Sequence, residues 1–239
     1  MKKTLDSSSS ASQAAEKNTH APRKISLKQA IAISLFAALA YATMLLIRVP
    51  ISFLTLDVKD AVITLAAFLF GSAVGPIISL IVAIIEMITV SGTGFWGFVM
   101  NFAGSAAFSF VAAAIFRRKR TYVGAIVGLY AATLVSTAVM LLMNLWITPL
   151  YMMVSTSEVI KLIMPLLLPF NLSKGLINAI VVLVLFQPVF LAAVRTRMVA
   201  RSIFDWRAVR RRDVIFFAAA LLFAAVIAVL AILRAEGVL

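Results

Sequence analysis

The chain contains no cysteine. Disulfides, thiolate nucleophiles and cysteine-held metals are therefore excluded. It has one histidine, His20, which stands in a polar stretch and reads as a solvated side chain rather than a ligand. No GxSxG, HExxH or P-loop pattern is present, so no recognised hydrolytic or nucleotide-binding machinery is legible. Charge is also scarce: only 13% of the 239 residues are Asp, Glu, Lys or Arg. A soluble domain carries about a quarter.

What fills the chain is apolar: 63% of the residues are hydrophobic. That much apolar surface cannot be hidden in one aqueous core, so lipid must be the solvent for much of it. The runs are long and do not alternate, which favours helices over a barrel. The formal net charge of +13 would point to nucleic acid in a soluble protein. Here the basic residues fall between apolar runs, as topology signals do, so no nucleic-acid partner is expected.

Residues 1–24 are polar and rich in serine, and are expected to be a disordered cytoplasmic tail rather than a signal peptide. Seven hydrophobic segments follow, at about 28–47, 60–74, 76–90, 98–116, 122–147, 171–194 and 214–233. The second and third are short for a span, which needs about 20 residues. Gly71, Gly75 and Pro76 argue against fusing them, because Pro76 suits the first turn of a new helix. The positive-inside rule agrees: with seven spans and a cytoplasmic N-terminus, most of the 22 basic residues face the cytoplasm, including Arg117–Arg120 and Arg195–Arg212. The expected protein is thus all-α, a polytopic bundle in a cell membrane, with its C-terminus outside. Residues 25–194 form the bundle, 195–213 a basic juxtamembrane segment at the anionic inner surface, and 214–239 an additional helix. The connection 148–170, with Pro149, Pro165 and Pro169, reads as an irregular outward loop over a pocket.

Polar residues inside such segments are costly and are candidates for function. Asp57, Lys59 and Asp60 stand at the entrance to the second segment, where interfacial solvation is an equal alternative. Glu86, near the outer end of the third, reads as a carboxylate reaching the interface or, functionally, as a ligand acceptor or a partner for Lys174. Asn171 and Lys174 share one helical face at a spacing of three, with Pro169 ending any preceding helix and Asn171 capping the next. Asn144 and Asn101 are membrane asparagines that either bind ligand or bond to a neighbouring helix. Phe95, Trp96, Phe98, Trp146, Tyr151 and Phe170 cluster at the outer ends, as an aromatic belt or as stacking partners for a planar ligand. In the first segment Ala30, Ser34, Ala38 and Ala42 recur every four residues, a spacing that lets another helix approach closely or serves internal packing.

The ordered set LTLDVKDAVITLAAFLFG, EMITVSGTGFWGFVMNFAGSAAF, NLWITPLYM and LLPFNLSKG resembles the riboflavin-type S component of energy-coupling-factor (ECF) transporters, over about residues 28–194. The resemblance implies a six-helix binding core, here with one extra C-terminal helix, that takes a vitamin from outside under the loop between the first two helices. It implies no enzymatic activity and no cofactor beyond riboflavin as the transported ligand. Its partners would be a transmembrane coupling subunit and two cytoplasmic ATPases, the former docking on Ala30, Ser34, Ala38 and Ala42. The PFNxxK motif carries ligand contacts over to Asn171 and Lys174, and the asparagine before ITPxY to Asn144. With these, Glu86, Asp57, Asp60, Trp96 and Tyr151 complete the expected substrate site. The chain departs from the family pattern at Gly97-Phe98, where several members have Gly-Glu. An S component for another small molecule and a self-sufficient carrier remain the alternatives; no internal repeat of the kind carriers show is evident.

Overall fold

The computed structural model describes residues 26–200 and Phe204. The expected tail and the seventh apolar segment lie outside the described residues, as does most of the basic segment. The first helix, α1 (Leu27–Leu46), starts at a capping box. Ser26 accepts from the Gln29 amide, and the Gln29 side chain accepts from the Ser26 amide.

The next connection is not irregular. Strands β1 (Arg48–Ile51) and β2 (Leu54–Asp57) form an antiparallel hairpin in which Arg48 faces Asp57 and Ile51 faces Leu54. Ser52 takes a left-handed conformation at the two-residue turn. Pro50 is tolerated because the two-stranded sheet leaves both strands as edges. The all-α expectation is corrected here: the segment is too short and too interrupted by polar residues to signal as an apolar run, and its strand character lies in local pairing.

Helices α2 (Lys59–Phe70) and α3 (Val74–Thr89) are separate, as Pro76 in the first turn of α3 predicts. Gly71 joins them at φ 137°, a backbone conformation open to glycine, and a Cβ there would strike the Arg117 guanidinium. Every residue of α2 from Lys59 to Leu69 is buried. The helix is shorter than the hydrocarbon is thick, but α1, α3, α4 and α7 surround it. Its environment is protein rather than lipid.

Two long helices follow, α4 (Gly94–Lys119) and α5 (Tyr122–Met152), joined by Arg120 in a left-handed conformation and by Thr121, which caps α5. They approach closely at Gly128, where a Cβ would lie 2.6 Å from the Ala112 carbonyl oxygen.

The region after α5 also differs from expectation. Only a short connection interrupts the backbone before α6 (Thr156–Leu162). A π turn (Ile163–Leu167) then runs into α7 (Leu168–Arg195), making a continuous 40-residue rod. Pro165 and Pro169 do not end the helix. A proline lacks an N–H and crowds the carbonyl four residues back, and the wider turn absorbs this as the Leu168 amide bonds to Ile163 O. Asn171 is accordingly not a cap: its amide nitrogen donates to Leu167 O at 2.7 Å, inside the helix.

Among the described residues, four helices are long and apolar enough to span a membrane: α1, α4, α5 and the α6–α7 rod. At the end where α4 finishes, Phe68 stacks on Phe116 (4.4 Å between centroids) and Phe186 on Phe190 (4.5 Å). Phe204, from the segment expected at the basic surface, is buried against them, 5.0 Å from Phe186.

Candidate functional site

A cavity of about 370 Å³ opens at the opposite end, bounded by the hairpin, the start of α2, the ends of α3 and α5, and the adjoining turns of α4 and α7. That size suits a small organic ligand. The hairpin forms one wall: Ile51, Phe53, Leu54 and Leu56 pack against Leu166, in the π turn, and Phe170, in the first turn of α7.

Beneath this apolar contact lies an ionic layer. Asp57, ending β2, is held at both oxygens. Oδ1 accepts from the Lys59 amide at 3.2 Å, and Oδ2 accepts from Lys174 Nζ at 2.9 Å. Burial alone would raise the Asp57 carboxyl, but the Lys174 and Lys59 ammoniums outweigh it and hold the group below the usual carboxylate range. Asn178, one turn beyond Lys174, donates to Asp57 O and accepts from the Ala61 amide, so it ties hairpin, α2 and α7 together.

Lys59 reaches across to α3 and bonds to both oxygens of Glu86, Oε2 at 2.7 Å. Asn101 Nδ2 on α4 donates to the same oxygen at 2.8 Å. Asp60, in the first turn of α2, accepts from Ser105 Oγ on α4. Asp57, Lys59, Asp60 and Glu86 are all buried, so they belong to the interior and not to interfacial solvation. Glu86 does not pair with Lys174: Glu86 takes Lys59 and Lys174 takes Asp57, a pairing that sequence spacing cannot give.

Of the expected substrate residues, Asp57, Asp60, Glu86, Tyr151, Asn171 and Lys174 line the cavity. Lys174 keeps 19% of its side chain exposed and has one acceptor among the described residues. Asn144 and Trp96 do not line it. Asn144 is fully buried, with Nδ2 donating to Met140 O and Oδ1 accepting from Thr148 within α5. Trp96 is partly exposed beside Phe95, and Trp146 is 80% exposed. Gly97 lines the cavity, whereas Phe98 lies against Phe95 and Phe102 instead. Ser105 and Asn178 were not legible as site residues. The signal was periodicity: Ser105 stands one turn after Asn101, and Asn178 one turn after Lys174, each pair on one face.

A polytopic bundle with a polar cavity under a hairpin at one end defines a membrane protein of the solute-binding kind. The chain belongs to the family described as "ECF transporter, substrate-specific component", which matches residues 28–186. It is similar to "Riboflavin transporter RibU" of Staphylococcus aureus (strain TCH60), 33% identical over 178 residues, 69% of this chain and 93% of that protein. A solved structure described as "Structure and mechanism of the S component of a bacterial ECF transporter" superposes with a TM-score of 0.59 at 32% identity, covering 69% of this chain and 96% of the other.

Proposed function

We propose that this chain captures riboflavin as the substrate-binding subunit of an ECF-type importer. The observation that carries the reading is the combination of the riboflavin-transporter relative with a cavity lined by Asn171 and Lys174. Lys174 offers unused donors, and the Asn171 carbonyl oxygen has no partner among the described residues. Phe170, Tyr151 and Met100 supply apolar wall for a planar ring. Asp57 and Glu86 hold that wall in place through their ion pairs.

Uphill import needs ATP hydrolysis on separate subunits. The reading assigns this to two cytoplasmic ATPases joined through a transmembrane coupling subunit. Ala30, Ser34 and Ala38 are exposed, while the bundle contacts of α1 are made by Ala32, Ala37, Ala40 and Met44. This exposure supports the small-residue stripe, with Ala42, as the coupling face. The positive-inside rule supports a cytoplasmic N-terminus and an outward cavity; the extra C-terminal helix would then end outside.

The test is native mass spectrometry of the purified full chain for co-purified flavin, followed by titration with riboflavin. Tight one-to-one binding is expected, and absence of binding at micromolar riboflavin overturns the substrate assignment. Uptake into proteoliposomes without ATPase partners would instead identify a self-sufficient carrier.

A further inference from the structure

The buried ionic side chains around the cavity are not equally occupied. Glu86 has both oxygens bonded to Lys59 and takes a further bond from Asn101. Asp57 has both oxygens bonded, one to a backbone amide and one to Lys174. Asp60 is different. It is 6% exposed and lines the cavity, and its only side-chain partner among the described residues is the Ser105 hydroxyl, on Oδ1. No cation lies within ion-pairing distance of it there. Counted formally, three carboxylates meet two ammoniums in this layer, and the unmatched one is Asp60.

A carboxylate removed from water strongly favours a donor on its open oxygen. Such a group also selects: a site built to bond an N–H or O–H discriminates against an analogue that lacks it. We propose that Asp60 Oδ2 accepts a hydrogen bond from the ligand and is a specificity-determining residue, with Ser105 positioning the carboxylate. The inference rests on the proposed flavin-binding function and adds the group that reads the ligand's donor. Riboflavin carries two kinds of donor, the ring imide N–H and the hydroxyls of its polyol chain.

Three probes separate them: riboflavin, lumiflavin (ring without polyol) and 3-methylriboflavin (polyol without imide N–H). Affinities are read by flavin fluorescence quenching on the purified full chain, wild type against Asp60→Asn, which keeps the shape and removes the charge. A roughly tenfold loss for riboflavin is expected, in line with a charge-assisted bond. One analogue should share that loss, and the one lacking the relevant donor should show none. If lumiflavin shares it, the imide is read; if 3-methylriboflavin shares it, a hydroxyl is. Ser105→Ala should weaken riboflavin only a few-fold, in the same pattern across probes. Asp60→Ser gives the same comparison if Asp60→Asn does not fold. Unchanged riboflavin affinity in a folded Asp60 variant, or equal weakening of all three flavins, overturns the inference. Failure of the wild type to bind any flavin has a separate signature and sinks the substrate assignment, and this inference with it.

Discussion

The two ends of the bundle are held together by different physics. At one end Phe68, Phe116, Phe186, Phe190 and Phe204 fill the space between α2, α4 and α7 with rings, in contact at 4.4–6.3 Å between centroids. At the other end α2, α3, α7 and the hairpin are linked by Lys59, Glu86, Asp57, Lys174 and Asn178 around a hollow. Dispersion contacts are numerous and individually small, so the aromatic end tolerates no empty space but has no single indispensable partner. Ion pairs in a dry site are few and conditional, because each charge is tolerable only while its partner is there. A cavity can exist at the ionic end because directional bonds keep the helices apart without filling the gap.

The sharpest way to break this comparison is to remove one charge. Lys59→Met leaves Glu86 buried with only Asn101, and breaking a buried pair costs about 3–5 kcal/mol. We expect a large fall in the thermal midpoint in detergent. Adding Glu86→Leu should recover most of it, since a well-packed apolar pair replaces a buried ion pair with little loss. If the double variant is as unstable as the single, the pair contributes more than mutual neutralisation.

At the aromatic end, Phe116→Ala should cost a comparable ~3–5 kcal/mol, through the cavity it leaves among four neighbouring rings. Here no second substitution of a partner should rescue stability. Riboflavin affinity of the folded fraction should not change, because the site lies at the other end; a drop in affinity would show that the ends are coupled.

Lys174→Met keeps the aliphatic stem and removes the ammonium. It should weaken riboflavin roughly ten- to a hundredfold, as loss of a charge-assisted bond does. It also frees the Asp57 carboxylate and leaves the Asn178 bond to Asp57 O as the remaining tie to α7, so the hairpin should become more accessible to an impermeant label at an introduced Ser52→Cys. Equal binding by wild type and Lys174→Met would remove Lys174 from the site.

The smallest effect is expected at Asn144. Its side chain is occupied within α5, so Asn144→Ala should change riboflavin affinity less than threefold, well under the effect of a lost ligand bond. A loss like that of Lys174→Met, without loss of folding, would show that α5 rearranges to present Asn144 to the ligand.

Much of the bundle was legible because lipid imposes a simple rule: apolar runs must be helical, with their backbone groups bonded internally. The runs at 98–116, 122–147 and 171–194 became α4, α5 and α7, and Pro76 marked the start of α3. The hairpin at 48–57 and the rod through Pro165 and Pro169 were not legible. The first depends on pairing between two short segments, and the second on a π turn that no proline rule anticipates.

For the site, the sequence by itself determined which residues were out of place. A carboxylate or an ammonium in an apolar run is conspicuous, and Asp57, Lys59, Asp60, Glu86 and Lys174 could all be singled out. Only the tertiary structure decided who pairs with whom. Lys59 takes Glu86 at a separation of 27 residues, Lys174 takes Asp57 at 117, and Asp60 is left with a serine. Composition sets the cost of burying each charge, but the attraction that offsets it falls with distance in space, and distance in space is set by how the helices pack.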